Sequence, residues 1–255
     1  MIKTKWDYTE LAKTYAQRPE YAPAAIDAMV AIADVSPGDA VCDVGAGVAH
    51  LTLPLAAREL NVFAVEPNDA MRERGMVRTR EFDNVRWFEA TGEHTNQDDS
   101  AFELVTFGSS FNVCDRAAAL LEAARILKSR GWFACMWNHR NLADPIQAAI
   151  EKIIVQHLGT YDYGSRREDQ TETINQSGLF GPVCRLEADV VHVQPIEECI
   201  AAWRSHGTLQ RQAGEQFSKV IEAIEQYLHN LNTPAVLVPF TTRIWMAQLS
   251  SQDTL

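Results

Sequence analysis

The sequence is short of basic charge, of paired cysteines and of long apolar runs. Its 23 Lys and Arg face 34 Asp and Glu, a formal charge of -11. No block of Lys and Arg interrupts that balance, so the average field repels phosphate backbones and nucleic acid is not expected as a partner. Five cysteines stand at 42, 114, 135, 184 and 199, an odd number with no C-x-x-C pair. Neither a disulfide framework nor a metal cluster is expected from them. Cys42 and Cys135 lie inside apolar runs, where cysteine is a small buried hydrophobe. No stretch approaches the roughly 18 apolar residues of a membrane span. The opening M-I-K-T-K-W-D-Y-T-E also lacks the apolar centre of a signal peptide. The expectation is a soluble, cytoplasmic protein with no membrane contact.

Repeats and low-complexity segments are missing too. What remains is a chain of 255 residues with 46% hydrophobic content, enough for one large domain with a packed core. Its first half alternates short apolar runs with helical stretches. Strands are expected at 40–45, 61–66, 85–90, 103–108 and 132–137, and helices at 48–59, 69–80 and 116–128. Runs that are apolar on both faces belong to a sheet covered by helices on both sides. Repeated strand–helix units imply a doubly wound, mostly parallel α/β sheet with right-handed crossovers.

After Trp137 the pattern changes. Asp144-Pro145 reads as an N-cap and first-turn proline, Ile146 to Leu158 mark one helix face, and Gly159 can end it. Further strands are expected at 186–193 and 242–249, with helical stretches at 195–206 and 215–231 between them. The chain thus divides into 1–38, cap helices; 39–138, a core sheet; and 139–182 with 195–234, helical inserts forming a mobile lid. Inserts above the carboxyl ends of strands are where such folds build substrate pockets.

The stretch V-C-D-V-G-A-G-V-A-H-L-T at 41–52 joins a strand to a helix through two glycines. Such a loop brings backbone close to a ligand and offers free helix N–H groups, although a tight turn alone would also explain it. Glu66 ends the next strand, 19 residues beyond Gly47, where a carboxylate can accept from both hydroxyls of a ribose. That serves NAD and S-adenosylmethionine alike. Asp43 separates them: a carboxylate two residues before Gly45 would repel a pyrophosphate but attract an ammonium and a sulfonium.

Several further motifs join this one. A-V-E-P-N-D-A-M follows the second strand and F-E-A-T-G-E-H-T the third. F-E-L-V-T-F-G-S-S-F-N is the fourth strand with its loop, L-L-E-A-A-R-I-L-K-S-R-G-W-F leads into the fifth, and Y-A-Q-R-P-E-Y lies near the start. Together they resemble class I S-adenosylmethionine-dependent methyltransferases over most of the chain, closest to the small-molecule branch with its ubiquinone/menaquinone-type and trans-aconitate-type enzymes. The resemblance implies a Rossmann-like seven-stranded sheet with an antiparallel last strand, S-adenosylmethionine as cofactor, and methyl transfer to a small organic acceptor. Two departures stand out. Ala49 replaces a common glycine, and Asn112-Val113 replaces a frequent His-Trp on the acceptor side.

Carried over residue by residue, the resemblance gives a cofactor set of Tyr15, Arg18, Asp43, Gly45, Ala46, Gly47, Glu66, Pro67, Met71, Gly92, Glu93, Phe107, Gly108 and Ser109. Met71 and Glu93 have plain readings as a core side chain and a loop acid, and Tyr15 and Arg18 as a surface helix face. The acceptor pocket is expected from Phe111, Asn112, Trp137, Tyr161, Tyr163, Trp203 and Arg204. Arg166, Arg167, Arg204 and Arg211 hint at a carboxylate or other anion. An acceptor that loses a proton near the transition state needs a base, for which His139 and His206 are the candidates; His50, His157 and His192 read as structural. Two other readings stay open: an S-adenosylmethionine-binding protein without methyl transfer, and an NAD-dependent oxidoreductase.

Overall fold

The computed structural model describes residue 9, residues 12–162 and residues 168–250. Two helices, α1 (Ala12–Tyr15) and α2 (Pro23–Ile32), precede the sheet. Strands β1 (Ala40–Val44), β2 (Asn61–Val65), β3 (Val85–Phe88), β4 (Phe102–Gly108) and β5 (Leu127–Arg140) then alternate with α3 (Thr52–Ala56), α4 (Asp69–Arg78) and α5 (Arg116–Ile126). The inserts supply α6 (Pro145–Leu158) and α7 (Thr171–Gln176), and, between β6 (Cys184–Pro195) and β7 (Ala235–Gln248), the helices α8 (Ile196–Arg204), α9 (Gly207–Ala213) and α10 (Phe217–Asn230).

The seven strands form one sheet in the order β3-β2-β1-β4-β5-β7-β6. β1 to β5 pair in parallel, and β7 runs antiparallel to both β5 and β6. This is the expected fold. The winding reverses between β1 and β4, and crevices for ligands open at such a point, beyond the carboxyl ends of the strands.

Three cores hold the layers. On one sheet face Phe102, Phe107, Phe133 and Trp137 meet Leu120 and Ile126 of α5. On the other, Val41, Leu104 and Met136 meet Ile26 and Met29 of α2 and Leu55 of α3. The third core belongs to the inserts: Ile150 and Ile154 of α6, Ile200 and Trp203 of α8, and Val220, Ile224 and Leu228 of α10 close over Val236, Val238 and Phe240 of β7. The spacing of the α10 residues is that of one helix face. At α6 the Asp144 carboxylate accepts from the Ile146 and Gln147 N–H groups, Pro145 fills the first turn, and Gly159 ends the helix at φ 77°.

Some expected boundaries shift, for identifiable reasons. The helix expected at 48–59 is only Thr52–Ala56, because Ala49 takes a left-handed φ of 74° that no helix accommodates. The stretch 195–206 divides: α8 stops at Arg204, and His206 becomes the N-cap of α9. β5 and β7 outrun 132–137 and 242–249 because their pairing continues to Arg140↔Phe240, carrying the ribbon up into the insert core.

A strap just before α2 crosses back to the far strands. Asn138 Nδ2 donates to the Pro19 and Glu20 carbonyls (3.1 and 2.9 Å), and His192 Nε2 donates to the Glu20 carbonyl (3.1 Å). The Ala22 N–H donates to Thr242 Oγ1 at 2.8 Å, and Thr242 in turn donates to Asn138 Oδ1. Among the described residues, no helix is long and apolar enough to cross a membrane.

Candidate functional site

A cavity of about 580 Å³ opens at the carboxyl ends of β1, β2 and β4 and runs up to α8 and α9. That volume suits a small-molecule ligand of drug size.

Its floor is the glycine loop. Gly45 and Gly47 stand at φ 69° and 57°, left-handed conformations in which a side chain is strained. At Gly45 a Cβ would lie 2.4 Å from Ser110 Cβ. The β4 loop presses close here because Ser110 Oγ donates to the Val44 carbonyl at 2.6 Å. The Gly47 N–H donates to Glu66 Oε2 at 2.9 Å, and the Asn68 N–H to Glu66 Oε1 at 2.8 Å. Glu66 is buried. Burial raises its carboxyl to about 7, against the pull of those two N–H groups and of Arg72. Each carboxylate oxygen has two lone pairs, so the two N–H bonds leave capacity for a pair of hydroxyls.

Asp43 is fully buried at the end of β1. Its carboxylate accepts from Thr52 Oγ1 (2.7 Å) and Thr106 Oγ1 (3.2 Å), and burial raises it to about 6 against those bonds. These partners are hydroxyls, not cations, so Asp43 focuses negative potential on the cavity floor.

The wall beside β2 and β3 holds Pro67, Met71, Gly92 and Glu93. Met71 is buried against Ala12 and Val48. Asn68 caps α4 by accepting from the Met71 N–H at 3.0 Å. Glu93 Oε1 accepts from the Asp115 N–H at 2.8 Å, which ties the loop after β3 to the start of α5. Tyr15 and Arg18 cover this end, with the guanidinium 3.9 Å from the ring centroid and donating to the phenol oxygen at 3.0 Å. His50 also reaches the wall, and its Nε2 donates to the Tyr15 carbonyl at 2.9 Å.

Toward the inserts the wall is Gly108, Ser109, Asn112, Trp137, His139, Arg140, His206 and Arg211. Trp137 Nε1 donates to Asn112 Oδ1 at 3.0 Å, fixing both side chains. His206 Nδ1 accepts from the Leu209 N–H at 3.2 Å as the α9 cap. A neutral ring bonded this way keeps its proton on Nε2, which suits a donor better than a base. His139 is buried on β5 beside Trp245.

Other expected site residues lie elsewhere. Phe107 and Phe111 turn into the sheet core, so their stretch borders the cavity only through its neighbours. Trp203 packs inside the insert core. Its heptad neighbours Ile196, Cys199 and Ile200 share one α8 face, and that spacing was the available signal. Arg204 is directed to Glu225 at 2.7 Å, and Tyr161 packs against the insert core. Tyr163, Arg166 and Arg167 lie outside the described residues. Two further cavity residues stand out, beyond the set expected from the sequence. Tyr21, in the quoted Y-A-Q-R-P-E-Y, shares a 2.8 Å hydrogen bond with Ser109 Oγ. Arg140 follows a strand expected to have ended at Trp137.

Residues 42–135 match the family model described as a methyltransferase domain. Uncharacterized methyltransferases of Mycobacterium tuberculosis and Mycobacterium bovis are 33% identical over 124 residues, 49% of this chain and 48% of each relative. The chain therefore spans about half the length of the curated relatives it matches. Among solved structures, the YcgJ protein of Bacillus subtilis superposes with a TM-score of 0.57 at 15% identity, covering 90% of this chain and 100% of that one. A phosphoethanolamine N-methyltransferase of Haemonchus contortus in complex with S-adenosyl-L-methionine gives 0.51 at 13%, covering 90% and 52%. At such identities the likeness speaks for the fold. Residues 42–135 are thus similar in sequence to a methyltransferase domain, and the strand order is that of the Rossmann-like methyltransferase fold.

Proposed function

We propose that the cavity binds S-adenosylmethionine and that the chain transfers its methyl group to the oxygen or nitrogen of a small organic acceptor. The observation that carries this is the pair of buried acids flanking the glycine loop, Glu66 with spare acceptor capacity and Asp43 without a cationic partner in its hydrogen bonds. Glu66 takes the ribose hydroxyls. Asp43 faces the cationic methionine end, with Gly108 and Ser109 alongside through their backbone. Met71, Gly92 and Glu93 flank the adenine, and Tyr15 and Arg18 cover it.

The bound cofactor supplies a methyl group activated by its sulfonium. The chain aligns the acceptor for in-line attack and keeps water out, and alignment alone contributes roughly 7–11 kcal/mol. His139 is the better placed base for an acceptor that must lose a proton, since the Nδ1 of His206 is committed to the α9 cap. The acidic balance favours a small molecule over nucleic acid as acceptor.

Calorimetry tests the cofactor. S-adenosylmethionine or S-adenosylhomocysteine should bind the wild type, and NAD should give no heat. Asp43→Asn should weaken S-adenosylmethionine on the order of tenfold, from lost attraction to its charges, with an unchanged circular dichroism spectrum. Binding of NAD alone would reverse the reading. Binding of S-adenosylmethionine without product release across a broad acceptor panel would favour a binding protein without transfer.

The inserts at 139–182 and 195–234 serve in this reading as a lid. Their helices share an apolar core that closes over the β7 edge of the cavity end. Limited proteolysis should slow within the lid when S-adenosylhomocysteine and an acceptor are both present; an unchanged cleavage pattern would argue for a fixed roof.

A further inference from the structure

We propose that Arg140 anchors an anion subsite at the lid end of the cavity, which holds a carboxylate or phosphate group of the methyl acceptor. This rests on the cavity being the methyl-transfer site. The described cavity wall is electrically divided. Its acids are Asp43 near the end of β1, Glu66 and Glu93 after β2 and β3, and Asp115 at the start of α5. Its lid end instead carries Arg140, Arg211 and two histidines, with no acid among the described residues there. Among the described residues this is a local inversion of sign in a chain of formal charge -11. An acceptor oriented by that field would put its anionic group under the lid and its nucleophile toward the glycine loop.

Arg140 is also held in place before any ligand arrives. Its guanidinium lies 4.2 Å from the Trp203 ring centroid and 5.4 Å from that of Phe240, and its Nη1 donates to Gln147 Oε1 at 2.8 Å. Two aromatic plates and an amide fix the plane of the fork, and a fixed guanidinium plane suits two-point recognition of an oxyanion. Gln147 and Trp203 contact the guanidinium but do not themselves line the cavity, so they position Arg140 and leave its cavity side to a ligand. Arg211 reaches the same end from α9, with its Nη2 donating to Thr208 Oγ1.

The test uses benzoate, phenyl phosphate and benzamide as probes, titrated into isotope-labelled protein with and without S-adenosylhomocysteine. The arginine Nε–H resonance that disappears in Arg140→Met identifies the reporter. At millimolar concentration at least one anion should shift it saturably, and neutral benzamide should not. The tighter of the two anions tells carboxylate from phosphate. Arg140→Met should reduce anion affinity at least about tenfold and Arg211→Met by a smaller factor, with S-adenosylhomocysteine affinity kept within about twofold. No shift with either anion, or an equal shift with benzamide, overturns the proposal, and the wild-type titration and Arg211→Met decide it even if Arg140→Met folds poorly. Failure of S-adenosylhomocysteine to bind would strike at the cofactor reading instead, and the anion titration without it would still be read.

Discussion

Replacing Glu66 by alanine is expected to lower affinity for S-adenosylhomocysteine at least about tenfold. Hydrogen bonds to a charged group contribute about 1.5–3 kcal/mol, and 1.4 kcal/mol is one factor of ten. The substitution also removes the acceptor for the Gly47 and Asn68 N–H groups, so the loop loses its brace along with the ligand contact. Glu66→Gln keeps the size of the side chain and one acceptor oxygen and should fall between wild type and alanine. Protonation makes the same point without mutation. The Glu66 carboxyl is raised from 4.5 to about 7, burial being the largest cause. A raised carboxyl favours the folded protein when protonated; that contribution is complete below the unfolded value and is lost as pH rises through about 7. Cofactor binding needs the ionised form and should run the opposite way, strengthening as pH rises through that range. The gain in melting temperature from S-adenosylhomocysteine should thus be larger at pH 8 than at pH 5.5, and flatter in Glu66→Gln. A gain independent of pH in the wild type would remove Glu66 from the ribose.

Gly45→Ala should cost about 2–4 kcal/mol of stability even without ligand. A methyl group 2.4 Å from Ser110 Cβ overpacks the junction of β1 and β4, and the left-handed φ of 69° adds strain. In a domain of this size that is a fall of roughly 5–15 °C in melting temperature. Gly47→Ala is the control. Its φ is 57°, but the nearest atom to its Cβ is 3.9 Å away, so only the strain of about 1 kcal/mol applies. Combining Gly45→Ala with Ser110→Gly should recover part of the loss. If the double variant melts no higher than Gly45→Ala, the contact with Ser110 is not the cause.

Why these glycines matter was only half legible in the sequence. The loop was readable as a cradle, but the requirement at Gly45 comes from Ser110, a residue 65 positions later, and no local pattern carries that. Ala49 makes the converse point. Its small side chain fits the expectation of close packing, yet its left-handed backbone shortens α3, a conformation that composition favouring helix does not reveal. The strands before β5 were legible because each is an apolar run bounded by turns. The far end of β5 is polar, N-H-R, and is held by pairing with β7, whereas the start of β7, A-V-L-V-P-F-T, is interrupted by Pro239 and held mainly by β6. On the cavity wall, Asp43 and Glu66 could be found from their distance to the glycines. The acceptor end was harder. Trp203 and Phe111 are aromatic and near the site in sequence, but which face they present depends on packing partners far along the chain. Arg140 lies beyond the apolar run that marks β5 in the sequence, which ends at Trp137.

The strap before α2 has a consequence for the order of events in synthesis. The bond from the Ala22 N–H to Thr242 joins residues 220 apart, and Thr242 also braces the Asn138 that grips the Pro19 and Glu20 carbonyls. Tyr21, a cavity wall residue, sits in the middle of that grip. On the ribosome, the residues of the glycine loop emerge long before β7 exists. Contacts of such long range must meet their loop-closure cost late, so the first-made piece of the cavity wall is the last to be fixed. A nascent chain stopped short of Thr242 would carry the whole glycine loop and still lack a finished pocket.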